Sequence, residues 1–180
     1  MDVVMGPDPR PDVPTEGMHI WGWMSNIELE WLGKQAAKMD SIVEVGSLHG
    51  RSAFMLLSRC KGPVYCIDPW NDVHRQSFGS FYSNCGHFEN LRMIQGYSPA
   101  AIYTDDLPDV DMVFLDGAHD YDSVAADVTH WLPKTRKLIC GHDYQNSDGG
   151  YPDVKTVVVE EFGDRVRVAP ETAIWYVELT

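Results

Sequence analysis

The sequence predicts an α/β fold: a doubly wound seven-stranded sheet, mostly parallel with an antiparallel last strand, and helices on both faces. Three observations predict it. Short apolar runs alternate with helix-patterned stretches over most of the chain, the arrangement of a parallel sheet covered on both faces. The last two apolar runs, 165–168 and 172–178, are joined by only a few residues around Pro170. A parallel crossover needs about a dozen residues or more, so that pair is antiparallel. The length, 180 residues, suits one domain with a sizeable core.

Residues 1–16 read as a flexible arm, rich in Pro and Asp as far as Pro14. The arm lacks a basic-then-apolar pattern, so it is no signal peptide. The domain spans 17–180 and opens on an aromatic stretch, Gly17 to Met24. Ser25 caps a helix expected to reach Met39, with Ile27, Trp31 and Ala36 among its apolar positions and Glu28 three residues after the cap. Strands follow at 41–46, 64–68, 92–96, 110–116 and 137–142. Between them lie short helices at 51–59 and 99–103. The clearest helix is 121–132, where Tyr121, Val124, Ala125, Val128, Trp131 and Leu132 recur at helical spacing. Residues 153–162 read as helix despite their valines, because Pro152 suits a first turn. Residues 70–90 show no clear period.

Apolar residues make up 44% and charged residues 23%, ordinary for a globular protein. A net charge of −13 argues against nucleic-acid or anionic-membrane partners, whose phosphates it would repel. No apolar run approaches the length of a membrane span. The four cysteines form no C-x-x-C pair, and three lie in or beside apolar segments, which points to a reduced, cytoplasmic protein without a structural zinc.

Two constellations carry chemistry. In the first, Glu44-Val-Gly-Ser-Leu-His-Gly-Arg-Ser52 joins a strand to a helix. Gly46 and Gly50 permit a tight turn and close approach of a ligand, and the helix N-terminus offers N–H groups to an anion. The spacing is neither G-x-G-x-x-G nor a P-loop, since Arg51 stands where a P-loop needs Lys. Asp68 ends the next strand, where a carboxylate can hydrogen-bond ribose hydroxyls. Its alternative is a turn residue before Pro69. Together these form the nucleoside-binding half of a doubly wound, Rossmann-like sheet.

In the second, Asp116 and Asp143 end neighbouring parallel strands, so both carboxylates reach one rim. Such oxygens suit Mg²⁺ or another hard divalent cation, with substrate hydroxyls completing the shell. His119 follows Asp116 by three residues, and imidazole is the side chain that titrates near neutrality. Asp116-Gly117 is also an ordinary turn, and His142 reads equally as a core histidine.

Val43-Glu-Val-Gly-Ser-x-x-Gly-x-Ser52, Asp68, Gln95-Gly-Tyr-Ser98 and Phe114-Leu-Asp-Gly-Ala-His-Asp-Tyr121 resemble class I S-adenosylmethionine-dependent methyltransferases over about residues 40–178. Within the class the chain is most similar to the macrocin and mycinamicin O-methyltransferases and the cephalosporin-hydroxylase-like proteins. The resemblance implies that Gly46, Ser47 and Gly50 face the methionine end of the cofactor, with Glu44 beneath the loop. It places Asp68 on the ribose and Gln95, Gly96 and Ser98 near the adenine. Ser52 and Asp116 complete the implied cofactor set. The resemblance also implies His119 and Asp116 as catalytic residues, and Asp116, Asp143 and His142 as holders of Mg²⁺ or another divalent cation. His142 stands where the macrolide enzymes carry a carboxylate, which weakens a magnesium site. The chain lacks the group's long substrate domain.

The expected function is O-methylation of a small hydroxylated molecule. Rivals are a catalytically silent nucleoside-binding protein of the same fold, a nicotinamide-dependent oxidoreductase, and a hydroxylase-like relative using a metal with another cosubstrate. Trp21, Trp23 and Met24 could wall the acceptor side. The aromatics of 70–90 read either as a lid or as the contact of a homo-oligomer.

Overall fold

Ser25 starts the first helix, as its spacing to Glu28 predicts. In the computed structural model, which describes residues 17–71, 77–99, 107–144 and 151–179, the two residues close a capping box. Glu28 N–H donates to Ser25 Oγ and Ser25 N–H to Glu28 Oε2. Helix α1 (Asn26–Ala36) stops short of Met39 because the chain tightens: Lys38 N–H donates to Gln35 O and Met39 N–H to Ala36 O. Leu29, Leu32, Gly33 and Ala36 form its buried stripe. Ile27 lies off that stripe and is 41% exposed. The arm expected over 1–16 lies outside the described residues.

The chain continues through β1 (Ile42–Val45), α2 (Arg51–Arg59), β2 (Val64–Asp68), α3 (Ser77–Cys85) and β3 (Leu91–Gln95). It then forms β4 (Val110–Leu115), α4 (Tyr121–Trp131), β5 (Thr135–Gly141), α5 (Pro152–Phe162), β6 (Arg167–Val168) and β7 (Trp175–Glu178). The seven strands make one sheet in the order β3-β2-β1-β4-β5-β7-β6. Strands β1 to β5 pair in parallel, and β7 runs antiparallel to both β5 and β6. The predicted doubly wound sheet and its antiparallel last strand are therefore observed.

Strand alternation divides the interior in two. Ile42, Cys66, Phe114 and Cys140 face the core shared with α1, α2 and α3. Val43, Val45, Val113 and Ile139 face the core shared with α4 and α5. In α5 the buried positions Val154, Val157, Val158 and Phe162 keep helical spacing, so tertiary packing overrides the valines' strand preference.

The segment 70–90 needs correction: it contains helix α3, with Ser77, Phe81 and Cys85 buried at intervals of four. Its other residues, among them Gly79, Ser80 and Asn84, are weak helix formers, which hid the period. Strand β5 begins earlier than expected, at Thr135. Strand β7 begins later, at Trp175, because Ala169 N–H donates to Ile174 O and Thr172 N–H to Ala169 O in the turn before it. The helix expected at 99–103 lies outside the described residues beyond Pro99. Among the described residues no helix is long and apolar enough to cross a membrane.

Strand β1 lies between β2 and β4, and the chain winds outward from it in opposite directions. A crevice opens at such a switch point, outside the carboxyl ends of the strands. Both sequence constellations sit there.

Candidate functional site

The glycine loop packs directly on the end of β4. Gly46 has φ of 87°, and a Cβ there would lie 2.0 Å from Asp116 O. A Cβ at Gly50, where φ is 91°, would lie 2.6 Å from Cys85 Sγ. Internal packing therefore demands glycine at both positions. One consequence is that the first constellation and Asp116 share a single rim.

Asp68 clasps the loop. Its Oδ2 accepts the Leu48 N–H at 2.9 Å and its Oδ1 the Trp70 N–H at 2.7 Å. The Trp70 indole donates to Leu48 O at 3.0 Å. These bonds hold Leu48 at φ of 44°, a left-handed conformation that costs a non-glycine residue about 1 kcal/mol or more. A carboxylate has about four lone-pair positions. Among the described residues two are used, which leaves two for a pair of vicinal hydroxyls. Helix α2 has Gly50 as its N-cap and no side-chain cap, which leaves its first-turn N–H groups open to an anion. The loop thus has donors and an acceptor suited to the two polar ends of an adenosyl amino acid.

Glu44 lies fully buried beneath the loop and accepts the Ser47 hydroxyl at 2.5 Å. Burial pushes its carboxyl up to about 7, against the hydrogen bonds from Ser47 and Ser52. Ser52 is itself buried and turned to Glu44. Gln95 Nε2 donates to Pro69 O at 3.2 Å, and Gly96 N–H to Asp68 O at 3.0 Å, so both adjoin the end of β2. Ser98 is directed elsewhere: its hydroxyl donates to Asp127 Oδ1 at 2.6 Å and accepts the Trp131 indole N–H at 2.9 Å. Burial raises the Asp127 carboxyl to about 6.

The second constellation converges. His119 Nε2 lies 2.8 Å from Asp143 Oδ2, and the His119 ring stacks on Tyr151 at 3.9 Å. His142 Nδ1 lies 3.4 Å from Asp143 Oδ1 and 3.9 Å from Asp116 Oδ1. On its other side His142 Nε2 lies 3.0 Å from Glu28 Oε1. That oxygen also accepts the Ala173 N–H at 3.0 Å. For His142 burial opposes charge, but hydrogen bonds to Asp143 and Glu28 outweigh it and push the imidazole up to about 10. Burial likewise opposes ionisation of Glu28, and His142 and the backbone bonds prevail, holding it down to about 2. Asp143 is held well below the carboxylate range by His119 and His142, against burial. Asp116 is pushed up by burial and by the Asp143 carboxylate, although its side chain keeps 20% of its surface exposed.

One ligand atom each from Asp116, His142 and Asp143 lies within 4.8 Å of the others. Two ligands of one cation, bonded at about 2.1 Å, stand roughly 3.0–4.2 Å apart, so this donor set fits a divalent ion after a small contraction. A cavity of about 20 Å³ lies among Asp116, His119, His142, Asp143, Asp127 and Trp175. Beyond Glu28 an open groove of about 610 Å³ runs between Ser25 and the turn Val168–Ala173.

Two participants were not visible in the sequence. Glu28 read only as a helix cap. Arg51 read only as the residue that excludes a P-loop, but it donates to Met18 O, Ile20 O, Met24 O and Asn26 Oδ1, pinning the aromatic stretch onto α2. That stretch leaves Trp21 and Trp23 exposed, with Trp21 against His49 of the glycine loop. Met24, expected beside them, is buried in the core. So is Trp70, packed on Phe81 at 4.8 Å, which removes it from any lid.

Residues 43–144 match the family described as Methyltransferase domain. No curated protein matches the chain. Among solved structures the chain is similar to an O-methyltransferase from Bacillus cereus in complex with SAH, at 16% identity and a TM-score of 0.65, over 87% of this chain and 82% of that one. It is similar to TomG, an O-methyltransferase from Streptomyces achromogenes involved in tomaymycin synthesis, in complex with SAM: 18% identity, TM-score 0.65, 88% of this chain and 82% of that one. A third is the TDP-rhamnose 3'-O-methyltransferase of calicheamicin biosynthesis, at 13% identity and a TM-score of 0.64, over 83% of this chain and 76% of that one. At these identities the likenesses speak for the fold. The family match spans more than half of the chain, from β1 to the rim beyond β5 that carries Asp143, and the chain belongs to the methyltransferase-domain family.

Proposed function

We propose that the chain is an S-adenosylmethionine-dependent O-methyltransferase of a small hydroxylated molecule, assisted by a divalent cation. One observation carries the reading: an Asp143–His119 pair at 2.8 Å stands on the same rim as a glycine loop clasped by Asp68. The motifs shared with the macrocin and mycinamicin enzymes support it, as do structural neighbours crystallised with SAH or SAM.

When bound, S-adenosylmethionine supplies an electrophilic methyl group on a sulfonium. A divalent ion held by Asp116, His142 and Asp143 would lower the pKa of an acceptor hydroxyl. The protein's residues do the rest. Asp68 holds the ribose hydroxyls, and the loop from Gly46 to Gly50 holds the amino-acid end. Gln95 and Gly96 border the base. Asp143 accepts His119 Nε2–H and so fixes the tautomer, leaving Nδ1 as the basic nitrogen. The acceptor proton passes to His119 Nδ1 and then to solvent as the C–O bond forms and the C–S bond breaks. Tyr151, stacked on the ring, fixes its plane. Alignment of oxygen, methyl and sulfur supplies most of the acceleration.

Calorimetry with S-adenosylmethionine, S-adenosylhomocysteine and NAD tests this. Binding of the adenosyl sulfur compounds without NAD supports the proposal; NAD binding alone would move the chain to the oxidoreductases.

A further inference from the structure

His142 has both ring nitrogens engaged, and the two sides differ in kind. Nε2 meets Glu28 Oε1 at 3.0 Å, so Nε2 carries the proton in the neutral ring. The Nδ1 side of the ring then faces two carboxylate oxygens, Asp116 Oδ1 at 3.9 Å and Asp143 Oδ1 at 3.4 Å. A proton on Nδ1 answers them when the site is empty, and a divalent ion would take that proton's place.

Glu28 is placed independently of His142. Its Oε1 accepts the Ala173 N–H at 3.0 Å and its Oε2 the Ser25 N–H at 2.7 Å. The carboxylate is therefore set by the helix cap and the turn before β7, and the imidazole docks against it. A carboxylate that fixes the far nitrogen of an imidazole is the usual support of a metal-bound histidine, because it sets the tautomer and raises the basicity of the ligating nitrogen. Asp143 is also supported from outside, by His119 on its second oxygen.

A separate observation points to a ligand in the same place. Trp175 is 1% exposed, lines the small cavity beside Asp116, His142 and Asp143, and its indole N–H has no partner among the described residues. A buried donor of this kind needs an acceptor oxygen, such as one borne by an ion in the cavity.

We propose that Asp116, His142 and Asp143 form a transition-metal site, that Glu28 is its outer carboxylate, and that the set selects Mn²⁺ or Co²⁺ over Mg²⁺. Magnesium prefers an all-oxygen shell with several waters, whereas imidazole suits the transition ions. Glu28 is a positioning residue here, since it reaches the ion only through His142. The inference rests on the acceptor site proposed above, but its test needs no methyl transfer.

The full-length protein, stripped with chelator and free of adenosyl compounds, is titrated with Co²⁺, read by its visible absorption, and with Mn²⁺, read by electron paramagnetic resonance. Mg²⁺ is added as competitor. One Co²⁺ or Mn²⁺ per chain is expected, displaced by Mg²⁺ only at far higher concentration. Glu28→Gln should weaken Co²⁺ binding about 10- to 100-fold. His142→Asp, which converts the set to oxygen, should lower the Co²⁺-to-Mg²⁺ affinity ratio at least about tenfold. That variant carries the test if Glu28→Gln fails to fold. Absence of stoichiometric binding, Mg²⁺ binding as tight as Mn²⁺, or an unchanged ratio in His142→Asp would each overturn the proposal. Metal binding without adenosyl binding would sink the methyltransferase reading alone, and the reverse result would sink this one alone.

Discussion

Asp143 Oδ2 lies 2.8 Å from His119 Nε2, and the two residues come from the ends of adjacent parallel strands. The pairing turns two isolated signals into an oriented base. It predicts that His119→Ala lowers kcat about a hundredfold to ten-thousandfold, while affinity for S-adenosylhomocysteine stays unchanged. Asp143→Asn should lose activity as well, because an amide can steer the ring to the wrong tautomer. Single-turnover rates and calorimetry on the same samples check both, and a normal rate in His119→Ala would place the base elsewhere.

Asp68 links cofactor and loop. Removing its carboxylate deletes acceptors for Leu48 N–H and Trp70 N–H together with the implied ribose contact. Charged hydrogen bonds contribute about 1.5–3 kcal/mol each. Asp68→Ala should therefore weaken S-adenosylhomocysteine binding at least about tenfold, measured by calorimetry. Unchanged affinity would take Asp68 out of the site.

Glu44 gives a pH-dependent prediction. Its carboxyl is raised from 4.5 to about 7 in the folded protein, so between those values the folded state binds the proton and the unfolded state does not. Stability from this group is full below pH 4.5 and falls as pH rises through 7. Glu44→Gln does not titrate. Its melting temperature relative to the natural protein should be clearly higher at pH 8 than at pH 4. Equal differences at both would mean that folding leaves the Glu44 carboxyl unshifted, and a smaller difference at pH 8 would mean that it is stabilised as a carboxylate.

Arg51 holds the aromatic stretch through Met18 O, Ile20 O and Met24 O. Arg51→Ala should lower stability by about 2 kcal/mol. Protease cleavage should appear first within residues 17–24, while Arg51→Lys recovers only part of the loss. Denaturant melts and timed proteolysis with mass spectrometry check this.

Sheet order and site rim were readable because their signals are local. Apolar runs gave β1, β2, β4 and β5, and an Asp at the end of a parallel strand has one place to go. Helix α3 was hidden because Phe81 and Cys85 are its only buried apolar residues among serines, glycine and asparagine. The Glu28–His142 contact joins residues 114 apart in sequence, and no local pattern encodes it. Arg51 bonds mainly to backbone carbonyls, which leave no mark in the sequence. Ser98 matched a motif, yet the buried Asp127 on α4 claims its hydroxyl.

The most direct measurement is a crystal structure of the full chain with S-adenosylhomocysteine. The account predicts ribose hydroxyls on Asp68, the amino-acid end along Gly46 to Gly50, and the sulfur facing the cluster of Asp116, His119 and Asp143. A nucleoside bound away from Asp68, or a sulfur turned from that cluster, would contradict it.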